Sequence, residues 1–305
     1  MSGSITDVAG VRVGHAQDAE AKTGCTVILA PEDGATNGFA WRGASPATRE
    51  TDLLRIDGIA KKVHAVMLSG GSAFGLDAAS GAMRWLEAHG IGFPAGVATV
   101  PIVPAFSLFD LAWGRPDVRP DAAMGETACE AASATTVKEG AAGAGTGAAV
   151  GKLFGMDHCC QSGVGTASGT VKDITIGALT VSNAFGDIVD EDGDIVAGTR
   201  DPESGQFVDT AAYLRENGMP IDPYANCTFA VVCTDMALER PEANRLAEMA
   251  FAGIARAVSP AHPLFDYDAL VVLSCGDKRG DLHAAGAVAA KLVHEALVSG
   301  VRAAQ

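Results

Sequence analysis

Apolar positions along the chain fall into two rhythms. Short runs in which nearly every residue is apolar, CTVILA (25–30) and HAVMLS (64–69), predict buried strands. Longer Ala-rich stretches predict helices: from Ser72, which can cap it, to about residue 89 before the stop signal His89-Gly90, then 121–138, 241–257 and 281–299. KDITIGALTVSN (172–183), 227–233 and 269–275 read as further strands, and VATVPIVP (97–104) as an extended, proline-interrupted segment. Asp192-Gly193 predicts a hairpin turn, which needs antiparallel neighbours and argues against a purely parallel sheet. Residues 196–226 are polar, with Gly, Pro, Asp and Asn throughout, and predict the longest loop. Strands interleaved with helices in this way predict an α+β fold, sheets inside and helices outside.

The 305 residues, 48% hydrophobic and 19% charged, are enough for a sizeable core and exclude a disordered chain. A net charge of -15 argues against a nucleic-acid surface, which needs a basic patch. With no 18-residue uncharged apolar stretch, no membrane span is expected. The start, MSGSITDVAG, has neither a basic nor an apolar leader region, so no secretory signal is expected. Seven cysteines, at 25, 129, 159, 160, 227, 233 and 275, form no C-x-x-C pair and no zinc spacing, so reduced thiols in the cytoplasm and no metal are expected.

Several stretches invite a chemical reading. GAAGAGTGAAVGK (140–152) is glycine-rich, but Thr146 and Leu153 stand where a phosphate-binding loop needs Gly and Ser or Thr. No strand precedes it for dinucleotide binding, so its glycines are expected to let backbone pass close to something and to deliver Lys152. The acidic run 187–194 has Ile195 where a calcium loop needs Gly, and reads as a solvated hairpin. Gly70, Gly71 and Ser72 form a turn into a helix whose N–H groups could face an anion, and Ser72 could serve a serine hydrolase if a histidine met it.

In PYANCTF (223–229), a thiol stands at a strand start behind a polar loop. A buried structural cysteine is the commoner meaning of such a residue. It has a chemical use if the bond before it is cut, since the freed α-amine can then activate the same residue's side chain.

LSGGSAFGLDAA (68–79), VPIVPAFSLFDL (100–111), GAGTGAAVGK (143–152), LTVSNAFGDIVD (179–190), ANCTFAVVCTD (225–235) and FDYDAL (265–270) occur in the order seen in the DmpA-type aminopeptidases and 6-aminohexanoate-oligomer hydrolases. The resemblance spans nearly the whole chain and implies an αββα sandwich of N-terminal-nucleophile type. It implies one hydrolase domain over 1–305 that cuts itself into a large chain, 1–226, and a small chain, 227–305. It implies no cofactor, a small peptide or linear amide as substrate, and homo-oligomers, often tetramers. Matched residue by residue, Cys227 resembles the nucleophile, Asn226 the residue before the cut, and Lys152 the lysine beside the nucleophile. Asn183 resembles the oxyanion donor, and Asp266 with Asp268 the acidic pair at the active-site amine. The family usually has Thr or Ser where this chain has Cys227, with Thr228 next to it; cleavage one bond later is the less favoured alternative. An unprocessed scaffold or metabolite-binding relative, in which Cys replaced the working residue, is the competing reading.

Overall fold

In a computed structural model that describes residues 3–221 and 226–305, ten strands form two five-stranded mixed sheets. They are β1 (Arg12–Asp18), β2 (Thr23–Leu29), β3 (Thr36–Gly43), β4 (Thr48–Arg49), β5 (Ala65–Ser69), β6 (Ala105–Ser107), β7 (Val164–Val171), β8 (Ile174–Asn183), β9 (Cys227–Met236) and β10 (Tyr267–Lys278). The first sheet runs β1-β2-β5-β6-β4 and the second β7-β8-β9-β10-β3. The helices are α1 (Ala78–Ala88), α2 (Ala122–Glu130), α3 (Thr210–Asn217), α4 (Arg240–Ala257) and α5 (Leu282–Ala304).

Two-residue alternation sorts each strand between two cores. In β9, Phe229, Val231 and Cys233 point inward and meet Val66, Leu68 and Phe106 of the first sheet. Their neighbours Ala230 and Val232 face Leu246, Ala250, Ile254, Ala289, Val293 and Leu297 of α4 and α5. On the far side, Val27, Leu29 and Met67 carry α1 and α2 through Ala78, Ala82, Leu86 and Ala128. The order of layers is therefore helix, sheet, sheet, helix.

Local chemistry sets the helix ends. The Asp281 carboxylate accepts from the His283 N–H at 2.8 Å and starts α5, while Glu239 and Glu242 form a reciprocal cap at the start of α4. By length and composition α5 is apolar enough to cross a membrane, yet two-thirds of that apolar window is buried against the sheet.

Three sequence expectations change. Ser72 does not cap a helix: Gly71 and Ser72 both take left-handed backbone (φ 83° and 53°), and the chain runs as a 3-10 turn over Ser72–Asp77 before α1. The helix predicted over 121–138 ends at Glu130, because the Ser133 main chain pairs with Val13 at the β1 edge. The predicted loop of 196–226 contains α3, started by Asp209, whose carboxylate accepts from Ala212 N–H; its residues 222–225 lie outside the described residues.

A buried carboxylate clamps the region behind the site. Asp187 accepts from Thr199 N–H at 2.9 Å, Thr210 N–H at 2.8 Å and the Thr210 hydroxyl at 2.9 Å. Burial pushes its pKa up to about 6, although these donors pull the other way. The Thr199 hydroxyl in turn accepts from Leu153 N–H, so the clamp reaches the segment that carries Lys152. Asp187→Ala strands two buried N–H groups and should lower stability by about 2–4 kcal/mol in urea denaturation. An unchanged midpoint would show that the clamp contributes nothing.

Candidate active site

Five separate segments meet at the start of β9. Cys227 is its first residue and stands directly opposite Asn183, the last residue of β8, in the antiparallel register. That register follows from the two apolar runs 174–183 and 227–236, which must both turn alternate residues inward.

The glycine-rich stretch brings in Lys152. It passes as a buried 3-10 turn (Gly143–Gly147), and a Cβ on Gly147 would lie 2.3 Å from the Lys22 carbonyl oxygen. Gly151, at φ 75°, then turns the chain so that Gly151 and Lys152 N–H donate to the Gly186 and Phe185 carbonyls. The lysine is buried, and its Nζ donates to the Asn183 carbonyl at 2.9 Å and to Asn226 Oδ1 at 2.8 Å. Burial brings its pKa down from 10.5 to about 8, against the opposing pull of Cys227, Asp266, Cys159 and Asp110.

Asn183 is locked by its own amide. Oδ1 accepts from Ala149 N–H at 3.1 Å, and Nδ2 donates one hydrogen to the Phe109 carbonyl at 3.0 Å. An amide nitrogen has two hydrogens, and the Phe109 carbonyl takes one of them.

The acidic pair arrives at the start of β10. Asn226 bridges to Asp266, and the Asn226 carbonyl accepts from Tyr267 N–H at 3.0 Å. Asp268 accepts from Thr228 N–H at 2.5 Å with one oxygen and meets His262 Nδ1 at 2.5 Å with the other. Burial, and then Asp268, pushes the Asp266 carboxyl well up, while Lys152 and Asn226 draw it back. Burial likewise pushes the Cys227 thiol far up; Lys152 draws it down and both aspartates raise it.

The residues singled out in the sequence thus converge, with one exception. The N–H groups of Gly70, Gly71 and Ser72 are all taken, by the Gly24 carbonyl, the Asp110 carboxylate and the Leu108 carbonyl. These three donors are therefore not available to an anion. Asp110 is a site neighbour that sequence reading passed over. Its buried carboxylate also accepts from the Thr23 hydroxyl at 2.7 Å, and it acts on Lys152 through space. It lies in the quoted motif VPIVPAFSLFDL, so its signal was present. His262 and Tyr267 N–H left no motif of their own. The Thr228 hydroxyl is paired with Ser182 at 3.0 Å, on the strand face opposite Cys227.

Among proteins of known sequence, the chain is 40% identical over 290 residues to an uncharacterized aminopeptidase of Mycobacterium tuberculosis, covering 90% of this chain and 81% of that one. It is 29% identical over 313 residues to a 6-aminohexanoate-oligomer endohydrolase of Kocuria sp., covering 97% and 85%. Among solved structures it is similar to the L-aminopeptidase D-Ala-esterase/amidase of Ochrobactrum anthropi, whose structure is described as a variant among the Ntn hydrolase fold. The TM-score is 0.74 at 20% identity, covering 100% of this chain and 88% of the other. A Burkholderia sp. beta-aminopeptidase gives a TM-score of 0.69 at 22% identity, covering 99% and 88%. These structures carry the layered α+β fold. The model of peptidase family S58 matches residues 3–305, and the chain belongs to that family: it is a hydrolase of amide bonds.

Proposed function

We propose that the protein is a self-processing amidohydrolase or aminopeptidase whose nucleophile is Cys227, exposed as an N-terminus when the bond after Asn226 is cut. The observation that carries this reading is the convergence of Lys152, Asn183, Asp266 and Asp268 on the 226–227 peptide bond.

Before cleavage no α-amine is available, so a side chain must take the thiol proton. Lys152, with its lowered pKa, is the base in reach. It accepts the proton from Cys227, and the sulfur attacks the Asn226 carbonyl carbon. The oxygen that becomes negative already accepts from Tyr267 N–H, which supports a role for that donor in the tetrahedral state. The C–N bond breaks, Lys152 returns the proton to the departing amine, and a thioester joins Asn226 to the Cys227 sulfur. Water hydrolyses it, leaving a carboxylate on Asn226 and a free thiol and amine on Cys227.

In the processed enzyme the Cys227 amine replaces Lys152 as the base for its own thiol. The sulfur attacks a substrate carbonyl, the other Asn183 amide N–H receives the oxyanion, the substrate amine leaves, and water releases the acyl group. The substrate class is small peptides and linear amides, as for the named relatives. No cofactor enters any step.

Intact-mass analysis of purified protein tests the reading. Two polypeptides, 1–226 and 227–305, are expected. A single full-length chain that persists through long incubation would instead favour a non-cleaving relative. Asn183→Ala should cut kcat for an amino-acid amide about 10²–10³-fold, the usual cost of one oxyanion donor. Full turnover in that variant would remove Asn183 from the mechanism.

A further inference from the structure

His262 belongs to no motif of the resemblance, yet it contacts Asp268 of the acidic pair directly. It lies in the loop before β10 with left-handed backbone (φ 56°), a conformation that a non-glycine residue holds only when its surroundings fix it. Two contacts do so. Its ring stacks on Phe251 of α4, with centroids 5.1 Å apart and planes at 28°, and its Nδ1 meets Asp268 at 2.5 Å. With Asp268 ionised, its oxygen accepts and Nδ1 donates.

Asp268 is 1% exposed, whereas the His262 side chain is 23% exposed. The other Asp268 oxygen faces the main chain at Thr228, next to the residue whose amine processing would release. One carboxylate is thus held between a histidine outside and the Thr228 main chain inside. Asp266 lies two residues away, and burial together with the Asp268 charge raises its pKa. Without a donor on its outer oxygen, Asp268 would be free to rotate away from residues 227–228.

We propose that His262 is a positioning residue: it fixes Asp268 with one oxygen aimed at the Cys227–Thr228 main chain, ready for the α-amine that cleavage liberates. The proposal rests on the cleavage reading above. His262 does not touch the substrate; it acts through the orientation of Asp268, in the manner of a group that orients a catalytic histidine or metal ligand.

The test compares wild type, His262→Ala, His262→Asn, Asp268→Asn and His262→Ala/Asp268→Asn, all checked for folding by thermal denaturation. Cleavage is followed by intact mass, and kcat and KM are measured on the cleaved fraction with an amino-acid p-nitroanilide that the wild type hydrolyses. His262→Ala should slow both cleavage and kcat about 10- to 100-fold, with KM within about two-fold. His262→Asn, whose amide nitrogen can take the place of Nδ1, should recover most of the loss. The double variant should be no slower than Asp268→Asn alone. A folded His262→Ala enzyme that matches wild type overturns the proposal. So does an Asn variant as slow as the Ala variant, or a double variant in which the two losses add. Should His262→Ala fail to fold, the Asn variant decides: slow cleavage and low kcat there overturn the proposal, and near-wild-type values support it. A wild type that never cleaves overturns the cleavage reading and this proposal together, and that arm is read before any variant.

Discussion

Cys227→Ala should leave a single full-length chain and abolish amide hydrolysis in the same preparation. On the proposed mechanism both effects follow from one atom, because the sulfur that opens the 226–227 bond is also the one that attacks substrate. Removing a nucleophile of this kind commonly costs about 10⁶ in kcat, so no residual turnover should be visible above background. Cys227→Thr is the informative partner, since it restores the hydroxyl that the family usually carries. It introduces a β-branched residue, which suits a strand start, and should cleave. Hydrolysis that survives in Cys227→Ala would sink the mechanism, because no other thiol or hydroxyl is assigned to the attack.

Lys152→Met should have nearly as large an effect, confined to the first cut. The methionine fills the buried space but accepts no proton, so cleavage should slow by about 10²–10⁴, the range for a lost general base. The pH profile carries the sign. As the proposed base the lysine works only when neutral, and burial brings its pKa down to about 8, so wild-type cleavage should accelerate as pH rises through 8 and level off above it. In Lys152→Met that rise should vanish. A wild-type cleavage rate that is flat from pH 7 to 9 would take Lys152 out of the role.

Much of the scaffold was readable because its periodicity is strong. Each of β2, β5, β8, β9, β10, α4 and α5 buries one or both faces against a neighbouring layer, so apolar spacing declares it. Elements held by single polar contacts were less visible. Helix α3 has eight residues, of which only Thr210 is buried, so no apolar stripe announces it inside a polar stretch. The early end of α2 depends on a main-chain pairing with β1, which a local pattern does not record. The site divides in the same way. Cys227, Lys152, Asn183, Asp266 and Asp268 stand in quoted motifs, whereas His262 and Tyr267 N–H act through tertiary geometry or the main chain. That the Gly70–Ser72 donors are consumed was not legible, because a free helix N-terminus and one whose donors are taken look identical in sequence.

The Lys152–Asn226 hydrogen bond bears on events after the cut. Asn226 then becomes the C-terminus of the large chain, and its new carboxylate is a product still fastened to the enzyme that made it. A tethered group of this kind competes at an effective concentration of the order of millimolar, against which a free substrate must prevail. Activation on this reading has two stages: bond cleavage, and the departure of Asn226 from Lys152. Freshly cut protein should therefore show a lag in turnover that shortens as substrate concentration rises, with the protein acting for a time as its own inhibitor.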